Sequence, residues 1–270
     1  MVAGNMIVLI CMLEPCRIEW LPQFVHHYRH LGVERFLLTL QLEPDAAQAE
    51  KEAHRNRFRQ TLAELDIDEA HYWEQAFDAK GKGEHHRRLQ EQNVSRDDWV
   101  VWCDSDEFQV YPQPLRDIVA ECETARVDFI RGAFIDRVAA DFSLAPFDPE
   151  GSIWETFPQT FSVSAALAGA DPRKVTLARG RIRVSDGNHG PLTSGSLRTV
   201  TGWVQVHHFK WDATLPERLR YRVRPEWQAK FYWWVESKRL LDYFAVHGPR
   251  FDPADLIPIT LQGPHFIEVR

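Results

Sequence analysis

Two hydrophobic rhythms alternate along roughly the first half of the chain. Short strand-like runs recur at Ile7–Leu13, Arg35–Leu40, Ala70–Trp73, Trp99–Cys103 and Val127–Ile130. The first is bounded by Asn5 and by Glu14-Pro15, and its unbroken apolar character predicts a strand buried on both faces. Between these runs the period changes to that of a helix. Trp20, Phe24, Tyr28 and Leu31 share one face of Glu19–Leu31, which Gly32 ends. The charged stretch Ala46–Leu65 carries Phe58, Leu62 and Leu65 on one side, Glu84–Asn93 reads as a polar helix, and Leu115–Ala125 as another. Strands alternating with helices of this length predict an α/β fold, with a mostly parallel sheet and helices on both faces.

From about Gly132 the rhythm breaks. Pro146, Pro149, Gly151 and Pro158 interrupt a loop-rich segment. Val175–Val184 and Leu197–Val206 then read as strands, separated by the turn-rich stretch Ser185–Pro191. Leu215–Phe244 has helical composition with many aromatic residues, and Trp227, Trp233 and Trp234 are expected to pack. No internal repeat or low-complexity linker appears. The expected organisation is one domain over residues 1–270, with a nucleotide-binding type of front half (1–130) and a mixed β/helical back half (131–270).

Composition narrows the function classes. The chain has 270 residues, 44% apolar and 26% charged, which is enough for a substantial core. A net charge of −7 argues against a general nucleic-acid binder. Four cysteines without a C-x-x-C pair point to reduced thiols and a cytoplasmic setting rather than a disulfide scaffold or zinc site. No run approaches the roughly 18–20 apolar residues of a membrane span. The Met6–Leu13 run has neither a basic stretch before it nor a small-residue cleavage site, so no signal peptide is expected.

In an open parallel sheet, ligands bind beyond the carboxyl ends of the strands, where strand order reverses. The positions to inspect are therefore Glu14-Pro15, Gln41–Asp45, and the segment Asp104-Ser105-Asp106-Glu107-Phe108 that follows Trp99–Cys103. Three carboxylates within four positions repel one another unless a cation lies among them. Asp104 and Asp106, two apart at a strand end, can point toward one small volume. Mg²⁺ or Mn²⁺ takes such oxygen ligands and usually shares them with substrate phosphates. The competing expectation is an acidic turn that merely caps a helix beginning near Pro114.

Trp99-Val100-Val101-Trp102-Cys103-Asp104-Ser105-Asp106-Glu107-Phe108 resembles the D-x-D-E-F segment of family 2-like glycosyltransferases with the GT-A fold. The opening is similar too, in Glu14, Trp20-Leu21-Pro22-Gln23-Phe24, His27-Tyr28 and Leu31-Gly32-Val33. The likeness covers residues 6 to 110 best, with weaker echoes to about 211. One departure is Leu40-Gln41-Leu42-Glu43-Pro44-Asp45, where the family has an aspartate-rich turn. The resemblance implies transfer of a sugar from a nucleotide-diphosphate donor, a UDP-sugar first among them, to a hydroxyl of a glycan or lipid-linked acceptor, with inversion. It makes 1–130 the donor half and 131–270 the acceptor half. It also implies that Glu14 and Lys82-Gly83 lie near base and ribose, that Asp104 and Ser105 meet the nucleotide sugar, and that Asp104 and Asp106 hold Mn²⁺ or Mg²⁺ on the diphosphate.

The transfer needs a base for the acceptor proton. In the family it is a carboxylate beyond the metal motif. Asp136 and Glu155 are the candidates, with Asp186 a third; Asp136 has the competing expectation of a pair with Arg137 or Arg131. A late histidine completes the metal shell in several GT-A enzymes, and His207-His208 occupies a similar position. Alternation from Val204 puts His208 and Lys210 on one face and His207, Phe209 and Trp211 on the other. His208 is therefore the expected ligand, with Lys210 beside the leaving diphosphate. Arg218, Arg220, Arg222 and Arg224 form a basic stretch that either covers the sheet or makes peripheral contact with an inner membrane face. Two other readings stand beside glycosyl transfer: a divalent-metal phosphohydrolase or nucleotidyltransferase, and a non-catalytic carbohydrate-binding protein.

Overall fold

The computed structural model describes residues 5–200, 202–228, 234–260 and the pair 266–267. In chain order the front elements are β1 (Ile7–Leu13), α1 (Leu21–Leu31), β2 (Arg35–Leu42), α2 (Gln48–Glu64), β3 (Ala70–Glu74), α3 (Ala79–Asn93), β4 (Trp99–Trp102), β5 (Glu107–Val110) and α4 (Leu115–Ala125). The later ones are β6 (Phe129–Val138), α5 (Ile153–Thr156), β7 (Gln159–Ser162), β8 (Arg173–Arg179), β9 (Trp203–His208), α6 (Leu215–Arg222), α7 (Pro225–Gln228), α8 (Trp234–His247) and β10 (Ile257–Pro258). The result is the mixed α/β architecture, largely parallel in its front half, that the alternating rhythms predict.

The chain divides into two units, residues 1–132 with 174–204, and residues 133–173 with 205–270. In the first, the strand order is β8-β4-β1-β2-β3. β4, β1, β2 and β3 run parallel, with Ile10 opposite Trp102 on one side and Leu37 on the other. β8 pairs antiparallel with β4, Ala178 facing Val100. That pairing returns residues 174–204 to the front unit. β1 is buried along its whole length, as an unbroken apolar strand between two neighbours must be. Val8, Ile10, Leu37, Val100, Trp102 and Val175 are among its core residues. The direction of chain growth reverses at β1: β2 and β3 lie to one side and β4 to the other, so the β1/β4 carboxyl ends form the switch-point crevice.

In the second unit β6 pairs antiparallel with β7, and β7 with β10. Val138, Leu144, Val163, Trp211, Leu219 and Phe251 belong to its core. Among the described residues no helix is long and apolar enough to cross a membrane.

Several boundaries differ from the sequence expectation, each for a local reason. α3 starts at Ala79 rather than Glu84 because the Asp78 side chain caps it, accepting the Gly81 N–H at 2.7 Å. Gly81 and Gly83 hide that first turn from a propensity reading. β8 ends at Arg179 because the Gly180 N–H turns to the Asp98 carbonyl at 2.7 Å. The strand read at Leu197–Val206 forms from Trp203 to His208. The helical tail is α6, α7 and α8; the side chains of Trp227 and Trp233 lie outside the described residues.

Candidate active site

β4 is four residues long, apolar and buried throughout, and it delivers Asp104-Ser105-Asp106 to the carboxyl edge of the sheet beside Glu14 at the end of β1. The acidic segment does not cap α4, whose N-cap is Pro114. It turns instead: the Glu107 N–H bonds the Asp104 carbonyl at 3.0 Å, and the chain leaves as β5. α1 holds that turn from below, with the Tyr28 hydroxyl donating to the Glu107 carbonyl at 2.9 Å.

The cations that three crowded carboxylates require come from the protein itself. Lys82, in the first turns of α3, forms an ion pair with Asp104 Oδ1. Lys174 of β8, 4% exposed, reaches Asp104 Oδ2 at 3.4 Å, Glu107 Oε1 at 2.8 Å and the Gly187 carbonyl at 2.9 Å. Glu107, itself buried, accepts the Asp104 N–H at 3.1 Å. Arg17, buried in the turn after β1 and stacked 3.8 Å over Trp20, stands 3.8 Å from Asp106 Oδ2. Burial alone would push the Asp104 carboxyl up; the charges of Lys174 and Lys82 outweigh it and hold Asp104 well below the usual carboxylate range. Burial likewise works against the Lys174 ammonium, and Asp104 and Glu107 more than restore it, so it remains charged. Burial and the neighbouring Lys82 push His86 the other way, well below its ordinary value, so it is neutral.

These partners bear on the expected metal. Both oxygens of Asp104 carry ammonium groups, so a metal there would have to share the carboxylate with Lys82 and Lys174. Glu107 is taken up by Lys174 and the turn. Asp104 and Asp106 are both partly exposed, at 26% and 15%, whereas Glu107 is buried; carboxylates shared with substrate phosphates suit Mg²⁺ or Mn²⁺. A divalent cation at this turn would share its carboxylates with Arg17, Lys82 and Lys174. Lys82, which a loop would leave solvated, is buried on α3. Glu14 is half-buried, its Oε2 3.8 Å from the Cys16 thiol, and Ser105 is half-buried at the turn. Lys174 and Arg17 escaped the sequence reading. A lysine directly before the strand run Val175–Ala178 was the signal available for the first.

Asp186, the third base candidate, pairs with Arg87 at 3.0 Å. A Cβ on Gly83 would lie 2.1 Å from Asp186 Oδ1, so that glycine lets the 186–188 turn lie against α3.

The second unit has its own polar cluster. Asp136 of β6 is fully enclosed (0% exposed) and accepts the Ser164 N–H at 2.6 Å, the Ser164 hydroxyl at 2.9 Å, His208 Nδ1 at 2.8 Å and Trp211 Nε1 at 2.9 Å. Burial pushes its carboxyl up, but the donors, His208 first, bring it below the ordinary range. A carboxylate so enclosed and so well supplied with donors serves as a structural anchor. His208 is stacked on Phe134 at 4.2 Å and oriented by that carboxylate, while His207 bonds Gln205 at 3.0 Å on the opposite face, as alternation requires. The alternation stops with the strand. Trp211, expected with His207, bonds the same Asp136 oxygen as His208. Lys210 lies 5.1 Å over the Trp211 ring instead of continuing the His208 face. Glu155 of α5 is exposed, and its carboxylate meets no described donor.

A largely parallel sheet whose switch point holds interleaved carboxylates and buried cations defines a class by fold: an α/β protein with a charged crevice at its strand ends. No family model matches the chain, and no curated protein matches it. Among solved structures, S. aureus TarS, residues 1–349, is similar over 90% of this chain and 74% of that one, at 11% identity and a TM-score of 0.37. UDP-glucose pyrophosphorylase complexed with UDP-glucose is similar over 55% of this chain and 65% of that one, at 11% identity and a TM-score of 0.26. What the chain does is therefore read from its own residues.

Proposed function

We propose that this chain is a GT-A-type glycosyltransferase that moves a sugar from a nucleoside-diphosphate donor, UDP-linked first, to an acceptor hydroxyl of a glycan or lipid-linked acceptor with inversion. The observation that carries the reading is the Asp104-Ser105-Asp106 turn at the β1/β4 switch point, with Lys82, Lys174 and Arg17 built in around it. In such a crevice the diphosphate lies along the strand ends, with Glu14 and Ser105 toward the nucleoside. As the bond between the anomeric carbon and the phosphate oxygen breaks, the electron pair leaves with the nucleoside diphosphate. Asp106 would hold the divalent cation that neutralises this charge as a Lewis acid. Arg17 and Lys174 add fixed positive potential, and Asp104 acts by keeping the two lysines in place. The acceptor oxygen forms the new bond, and its proton goes to a carboxylate. Glu155, exposed and without a described donor, is assigned that role in preference to Asp136.

A phosphohydrolase or nucleotidyltransferase built on the same cluster would need its carboxylates open to metal, and the lysine pairing of Asp104 and Glu107 speaks against that. The test is a binding titration of UDP, GDP, CDP and dTDP, each with and without Mn²⁺, followed by a transfer assay with the matching sugar donors. One nucleotide should bind, with affinity raised by Mn²⁺, and Asp106→Asn should abolish the Mn²⁺ enhancement. Absence of binding by all four nucleotides removes the proposal.

A further inference from the structure

Asp136 is followed on β6 by Arg137, which projects to the other face of the strand. With Asp136 consumed by His208, Ser164 and Trp211, the expected pairing of Asp136 with Arg137 does not form. The Arg137 guanidinium instead lies 5.2 Å from the Trp154 ring and 5.8 Å from the Phe209 ring. Trp154 meets Phe209 edge-on at 5.1 Å and His207 at 5.0 Å, so aromatic rings wall the cation. Its Nε is buried and has no hydrogen-bond partner.

This cation differs from the others the fold encloses. The buried cations Arg17, Lys51, Lys82, Lys174 and Arg179 each have a carboxylate within ion-pair distance. Among the described residues Arg137 has none. Burial lowers its pKa to about 10, with no neighbouring charge to oppose the shift. A partly desolvated guanidinium without an acceptor costs free energy that the chain could recover by placing a neutral residue there. Its planar fork of N–H groups matches an oxyanion with two oxygens, and aromatic rings around it suit the apolar edge of a sugar.

We propose that Arg137, walled by Trp154, Phe209 and His207, binds an anionic group, carboxylate or phosphate, carried by a sugar. On the reading of the chain as a glycosyltransferase, that sugar belongs to the acceptor, so the acceptor is an acidic glycan rather than a neutral one.

The test is ligand-observed NMR and tryptophan-fluorescence titration of the full chain with glucuronate, glucose 6-phosphate and glucose. At least one anionic sugar should bind about tenfold or more tighter than glucose, the scale of one charged hydrogen-bond pair. Glucuronate and glucose 6-phosphate, compared directly, tell a carboxylate from a phosphate. Arg137→Met should erase the preference, and Arg137→Lys, which keeps charge but not the fork, should keep only part of it. Because Arg137 leaves a buried donor unmet, Arg137→Met should fold with an unchanged or raised melting temperature, which separates lost binding from lost structure. Equal binding of all three sugars, or a preference that survives in Arg137→Met, overturns the inference. UDP binding measured in parallel separates it from the donor proposal: UDP binding without an anionic preference sinks this inference alone. An Arg137-dependent preference without nucleotide binding keeps the anion site and sinks the transferase.

Discussion

Replacing Lys174 by methionine removes the charge on which the acidic turn depends while nearly conserving shape. Lys174 Nζ lies 2.8 Å from Glu107 Oε1 and 3.4 Å from Asp104 Oδ2, and both Lys174 and Glu107 are buried. Removing one partner of a buried ion pair costs about 3–5 kcal/mol because the other charge stays behind. Asp104 keeps Lys82, so the low end, about 3 kcal/mol, is expected for Lys174→Met at pH 7. For a chain of this size that is a fall in melting temperature of about 6–12 °C.

The pH dependence gives the sharper check. Asp104 is held below its ordinary range, so its pairing stabilises the fold above the unfolded carboxylate pKa of about 3.9 and is lost as pH falls through the folded value. The Lys174 pKa is raised, so its contribution is present throughout the neutral and acid range and ends only in strong alkali. The wild-type advantage over Lys174→Met should therefore be full at pH 7 and shrink below about pH 4. Urea unfolding followed by tryptophan fluorescence at pH 7 and pH 3.5 measures both. Adding Glu107→Gln to Lys174→Met should recover part of the loss, since the amide still accepts the Asp104 N–H. A cost below about 1 kcal/mol at pH 7 would refute the assignment of Lys174 as the counter-ion.

Asp136→Asn puts an amide N–H₂ among four donors and should lower stability by about 2–4 kcal/mol in thermal unfolding, with nucleotide affinity unchanged. Glu155→Gln, on an exposed turn, should leave stability within about 0.5 kcal/mol and donor binding intact, while single-turnover transfer falls about 10²–10⁴-fold. Gly83→Ala forces the Asp186 carboxylate off Arg87 and should cost about 1 kcal/mol in urea unfolding, with proteolysis near residues 185–190 accelerated.

Much of the front half was legible because its strands are buried on both faces, and an unbroken apolar run of strand length fits few places but the middle of a covered sheet. β1, β2 and β4 fall within two residues of the runs that predict them. The back half was less legible because its strands owe their ends to backbone partners, not to composition. Val175–Val184 looks continuous, yet the Gly180 N–H is claimed by Asp98 and the strand stops. The candidate site divides in the same way. The edge that presents Asp104 and Asp106 followed from periodicity and the switch-point rule. Asp104's partners did not, since Lys82 and Lys174 stand 22 and 70 residues away from it.

That separation bears on the expectation of a metal at both aspartates. From sequence, the acidic turn shows a charge deficit that something cationic must fill, and a divalent ion is the economical answer. The fold brings Lys82, Lys174 and Arg17 to Asp104, Glu107 and Asp106, three cations to three carboxylates, so local repulsion is met before any ion arrives. A diphosphate entering this balanced cluster adds fresh negative charge, and the demand for a further cation begins only then. Mn²⁺ affinity should accordingly be weak for the protein alone and rise with the bound nucleotide, since one carboxylate and the phosphates must share the ion. Titrating Mn²⁺ by electron paramagnetic resonance with and without saturating UDP measures that coupling. Tight Mn²⁺ binding in the absence of nucleotide would show that the carboxylates are open after all, and that the lysines yield to the metal.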